Sequence, residues 1–121
     1  MADNVLDGPL GFGINFPLKG GMNESVVTAP INLSARNRAE FRDEALAALE
    51  RLGDAEPGGR LVVDLSATQR LDSAGLGTLV MLQRRAAERR HAVCLRGAPE
   101  EVRFLLVMTR LEDRFTIEPR A

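Results

Sequence analysis

The sequence contains no tryptophan, no tyrosine, one cysteine and one histidine, and its basic residues do not outnumber its acidic ones. Each absence closes off a class of function. With only five phenylalanines as aromatics, the core must be built from Leu, Val, Ile, Ala and Met, and the usual base-stacking platform is missing. Sixteen basic against seventeen acidic residues give a net charge of -1. There is thus no cationic excess to displace counterions from phosphates, and nucleic acid is not an expected partner. The lone Cys94 rules out an intrachain disulfide. Its apolar surroundings, His91-Ala92-Val93-Cys94-Leu95, read as a buried reduced thiol of a cytosolic protein. No run approaches the ~20 apolar residues that span a bilayer, so direct membrane insertion is not expected. Met1 to Pro9 holds two acids and no base, unlike a secretory signal, and the cytoplasm is the expected location. One histidine with no cluster around it gives no metal spacing. No Ser/His/Asp set and no phosphate-cradling glycine loop with lysine is visible, and Gly11-Phe12-Gly13 lacks a strand-and-helix context. Neither catalysis nor a cofactor is expected.

What remains is a chain of 121 residues, 45% hydrophobic and 27% charged, the size and composition of one globular domain. Residues 1–24, rich in Gly, Asn and Pro, read as a flexible N-terminal segment with a weak edge strand over Phe12 to Leu18. The domain proper is placed at 25–121. Ser25-Val26-Val27-Thr28-Ala29 predicts a strand ended by Pro30. Asn32, Ser34 and Asn37 offer caps for a helix with Phe41, Ala45, Ala48, Leu49 and Leu52 on one stripe, stopped by Gly53. Leu61-Val62-Val63-Asp64-Leu65, apolar on both faces, predicts a central strand. Asp72-Ser73 precedes a second helix, with Leu76, Leu79, Val80, Gln83 and Ala87 as its apolar face and four arginines at its end. His91 to Leu95 predicts another strand. Pro99 with Glu100 and Glu101 opens a third helix carrying Val102, Leu105, Leu106 and Thr109, and Phe115-Thr116-Ile117 closes the chain. Strand and helix alternate from Arg60 onward, which implies right-handed crossovers and an α/β fold: a small mixed sheet of about four to five strands with three to four helices.

Binding sites of such sheets lie beyond the carboxyl ends of parallel strands, which directs attention to Asp72-Ser73-Ala74-Gly75-Leu76-Gly77. Two glycines at a helix start each cost up to about 1 kcal/mol relative to alanine. One reading is functional: small residues leave Ser73 uncovered and let another backbone approach, and a phosphate there would meet the positive end of the helix. The other is structural: Asp72 or Ser73 simply caps, and the glycines permit close packing of helix on sheet. Ser66 and Thr68 form the turn before the motif. His91 is read as structural or surface, and Arg84, Arg85, Arg89 and Arg90 as a solvated helix end.

The Asp72–Gly77 string, preceded by the strand Leu61–Leu65 and followed by Leu106-Val107-Met108-Thr109-Arg110-Leu111-Glu112-Asp113-Arg114-Phe115, resembles the STAS family, anti-sigma factor antagonists in particular. The resemblance runs from about Val26 to Ile117. It implies a bacterial, cytoplasmic, non-enzymatic interaction module of partner-switching type that acts in transcription or stress regulation. An anti-sigma factor that is also an ATP-binding serine kinase would phosphorylate Ser73 and release the chain, and a serine phosphatase would reset it. By this resemblance Asp72, Ser73, Ala74, Gly75, Leu76 and Gly77 form the docking surface, with Asn32 and Thr68 beside it. Ala74 stands where members often carry Ser or Thr. Ala29-Pro30-Ile31-Asn32 stands where they commonly show Gly-x-Leu-Asp, so Asn32 keeps hydrogen bonding without the charge. The alternative is a STAS subunit that never switches, held in a stress-sensing scaffold or a lipid-transport ABC complex.

Overall fold

The computed structural model describes residues 23–53 and 58–119. Among the described residues six strands and three helices follow one another as β1 (Glu24–Thr28), β2 (Asn32–Leu33), α1 (Arg38–Glu50), β3 (Arg60–Asp64), β4 (Arg70–Leu71), α2 (Ser73–Glu88), β5 (Ala92–Arg96), α3 (Glu100–Met108) and β6 (Thr116–Glu118), with a 3₁₀ turn at Glu112–Arg114 before the last. The main sheet has the order β1-β3-β5-β6, parallel throughout, and β2 pairs with β4 in a second, two-stranded parallel sheet. The expected strand over Phe12 to Leu18 and the domain boundary at residue 24 bear on residues that are largely outside the described ones.

Sequential strand order with right-handed crossovers puts successive helices on one face of the sheet. The core agrees. It joins Val27, Leu61, Val63, Val93 and Leu95 to Phe41, Ala45, Ala48 and Leu49 of α1, to Leu79, Leu82 and Ala86 of α2, and to Val102 and Leu106 of α3. Alternation along the strands sends Glu24, Arg60, Val62, Cys94, Arg96 and Glu118 to the other face. There Arg60 pairs with Glu24 and, at 2.7 Å, with Glu118, while Arg96 reaches Glu118 at 3.1 Å. Val62 and Cys94 are fully buried on this same face, so β3 is apolar on both sides, as its sequence implies. Burial pushes the Cys94 thiol up to about 11, with the Glu118 carboxylate adding to the shift. The thiol is therefore protonated and inert at neutral pH.

Three local expectations are corrected. Asn37 occupies the N-cap position of α1 but makes no capping bond. Its side chain folds back instead, accepting from the Ser34 amide at 2.9 Å and donating to the Asn32 carbonyl, which closes the turn ahead of the helix. Leu52 lies just beyond α1, yet it is buried. The buried face of α2 is Gly75, Thr78, Leu79, Leu82 and Ala86; Leu76, Val80 and Gln83 are half-exposed and Ala87 is exposed. This helix carries apolar residues on two faces, and a close approach at Gly75 selects between them.

His91 is buried at the amino ends of the strands. The Gly59 amide donates to its Nδ1 at 3.0 Å, and its Nε2 lies 2.6 Å from the Gly53 carbonyl. An acceptor at Nδ1 and a donor at Nε2 define a neutral imidazole. It ties the end of α1, where Gly53 turns back at φ +70°, to the start of β3.

Candidate functional site

The carboxyl end of β3 leads through a tight turn, in which the Ser66 amide donates to Asp64 Oδ1 at 2.9 Å, to β4 and then to α2. Asp72 is the N-cap of α2, in extended conformation. Its Oδ1 accepts from the Gly75 amide at 2.9 Å, and its Oδ2 accepts from the Ala35 amide at 3.3 Å. The Asp72 amide in turn donates to the Leu33 carbonyl at 3.2 Å. One aspartate thus caps α2 and ties it to the segment that enters α1. The Gly75 amide is the main cause that holds the Asp72 carboxyl below its ordinary value, with Ala35, Ala74 and Arg38 adding to it. Asp72 is ionised at any physiological pH.

The two glycines part company. A Cβ on Gly75 would sit 2.5 Å from the Leu33 carbonyl oxygen and 3.0 Å from the Leu33 and Leu71 side chains, so only glycine lets α2 approach the β2–β4 pair this closely. A Cβ on Gly77 would meet nothing within 4 Å. Packing explains Gly75; nothing in the packing explains Gly77, which lies open on the helix surface. Ser73, the first residue of α2, is exposed and directed to solvent beside the cap. Ala74 and Leu76 are half-exposed, and Leu76 packs in part against the core. Asn32 is exposed on β2, paired in register with Arg70 of β4.

Ser73, Gly77 and the rims of Ala74 and Leu76 thus lie together at the start of α2 beside the capping carboxylate of Asp72, while Asn32 stands exposed on β2 opposite Arg70. Thr68 does not belong to this surface. It is fully buried and its hydroxyl donates to the Pro30 carbonyl at 2.9 Å, so it fixes the loop from inside. Gly75 is likewise buried and serves packing, not contact. Sequence reasoning missed β2 and β4, because two-residue strands leave no periodicity to read. It also missed the part of Ala35, whose only contribution is a backbone amide.

Among the described residues no group of three or more His, Cys, Asp or Glu side chains is placed to hold a metal ion, and no helix is long and apolar enough to cross a membrane.

A family model described as "Mlab, STAS domain" matches residues 20–118. The fold is shared with a protein from Thermotoga maritima provisionally described as an anti-sigma factor antagonist (TM-score 0.63, 22% identity, covering 77% of this chain and 78% of that one). It is shared also with an anti-sigma-factor antagonist (STAS) domain protein from Planctomyces limnophilus (TM-score 0.64, 17% identity, covering 79% and 81%). No curated protein matches the chain. The family model spans most of the chain, and the singly wound parallel sheet with the Asp72-capped helix behind it has the same fold as these proteins: the chain belongs to the STAS domain family.

Proposed function

We propose that the chain is a non-catalytic docking module of the anti-sigma factor antagonist kind, whose binding is switched by phosphorylation of Ser73. The observation that carries this reading is the exposed hydroxyl at the first position of α2, next to a carboxylate already committed to two backbone amides. In the phosphorylation step the Ser73 oxygen would bond to the γ-phosphorus of ATP held by a partner serine kinase. ADP would leave, and the hydroxyl proton would pass to a base of that partner. The modified residue gains roughly -1.5 to -2 charges. The helix N-terminus favours that charge, whereas Asp72 repels it. Because Asp72 cannot turn away without giving up its cap, the phosphate changes the charge of the docking surface more than the fold. A serine phosphatase would restore the binding form. The partner supplies nucleotide, metal and catalytic groups, and this chain supplies only the acceptor and the surface, in the cytoplasm.

The test is retention of an ATP-binding anti-sigma factor from native cells on tagged chain. Ser73→Ala should retain it in the presence of ATP, and Ser73→Asp should release it. A second reading, a permanent subunit of a larger assembly, is favoured by the neutral Asn32 and by the description of the matching family model. It predicts retention of the same complex by both variants.

A further inference from the structure

The outward side of α3 sets three apolar residues beside the charged Glu100, Glu101 and Arg103. Val102 and Leu106 pack inward, yet Phe104, Val107 and Met108 are 64%, 49% and 64% exposed. Phe104 and Met108, four residues apart, are neighbours on the helix surface. One turn earlier, Glu100 and Glu101 are also exposed. Neither forms an ion pair among the described residues.

Between α3 and the start of α2 runs a groove of about 470 Å³, with Arg70, Leu71 and Asp72 on one wall and Glu101, Val102 and Leu105 on the other. Gln69 and Glu101 also line an adjoining depression of about 620 Å³ that reaches the exposed Ile31 and Glu100. The groove therefore begins at the residue before Ser73 and follows α3. Its lining includes Glu100 and Glu101, the Asp72 already engaged as a cap, and one basic residue, Arg70.

We propose that this groove and the Phe104–Met108 rim receive an amphipathic segment of the partner that reads Ser73, apolar on one side and basic at the end lying over Glu100 and Glu101. The inference rests on the α2 start being a docking surface, and it adds the chemistry of the segment that docks there. The acid excess calls for a basic occupant. It argues against a second copy of this chain, which would bring the same carboxylates to the contact. Area argues the same way: nine helical residues make a face about 13 Å long and about 10 Å wide, on the order of 130 Å², well short of the roughly 800 Å² per partner that a stable complex buries. Joined to the Ser73 surface, the groove becomes part of an interface of ordinary size.

The experiment titrates ¹⁵N-labelled, unphosphorylated full chain with two synthetic amphipathic helical peptides of identical apolar positions, one ending in two lysines and one in two glutamates. The lysine peptide should shift the amides of Arg70, Glu101, Leu105 and Met108 and bind roughly fivefold more tightly than the glutamate peptide. Glu100→Lys with Glu101→Lys should reverse that preference, and Phe104→Ser, at an exposed site, should weaken both peptides without lowering the melting temperature. Equal binding of the two peptides, shifts away from the groove, or concentration-dependent shifts of α3 without peptide would overturn the proposal; the last would assign the face to a second copy. Absence of phosphate on Ser73 would leave this titration unchanged, so its failure and that of the switch are read separately.

Discussion

At the amino ends of the strands every polar group of the His91 contact is satisfied from within: Nδ1 by the Gly59 amide and Nε2 by the Gly53 carbonyl. At the carboxyl ends the chain leaves groups open. The Ser73 hydroxyl faces solvent, Gly77 has free space where a side chain would stand, and Glu100 and Glu101 form no ion pair among the described residues. The amino ends turn the polar groups of this contact inward, whereas the carboxyl ends combine inward bonds from Asp72 and Thr68 with groups left open to solvent. The same division recurs within a single helix turn, where Gly75 is required by the Leu33 carbonyl and Gly77 by nothing inside the molecule. Residues that hold the fold and residues left open to solvent are thus separable, one by one.

The largest expected effect breaks the closed end. His91→Ala strands the Gly59 amide and the Gly53 carbonyl and opens a cavity, and should cost about 3 kcal/mol in urea unfolding. Gly75→Ala drives a methyl into the Leu33 carbonyl and should cost about 2 kcal/mol, detected the same way. Gly77→Ala should do the reverse, stabilising the fold by about 0.5–1 kcal/mol through helix propensity, while weakening capture of the Ser73 partner. That opposition of stability and binding is the sharpest check on the division drawn above.

The smallest effect is in pH. The folded Asp72 carboxyl titrates below its ordinary value. Its contribution is therefore complete above the unfolded value, near pH 4, and is lost as pH falls through the depressed folded one. Hydrogen exchange of the Gly75 and Ala35 amides should quicken over that acid range relative to neighbouring amides, and Asp72→Ala should abolish the difference.

Much of this arrangement is legible in the sequence. The unbroken apolar run Leu61-Val62-Val63 marks the central strand, and Asp72-Ser73 ahead of an apolar repeat marks the helix start. The rest depends on contacts between distant segments. Thr68 looks like a turn former next to the motif, and only its bond to the Pro30 carbonyl reveals it as an interior anchor. The buried face of α2 was open to misassignment, because Leu76 and Val80 are as apolar as Leu79 and Leu82. Gly75 against Leu33, set by pairing of β2 with β4, decides the rotation. The two glycines look alike in the sequence for the same reason: their difference lies in what stands opposite each one.

The most direct test of the central claim is a mass spectrum of the chain isolated from its native cells, read at the tryptic peptide from Leu71 to Arg84. Phosphate on Ser73, at an occupancy that changes between growth and stress, is the result this account predicts. An unmodified Ser73 under every condition, with the partner still bound, would contradict the switch and leave the same surface as a permanent joint.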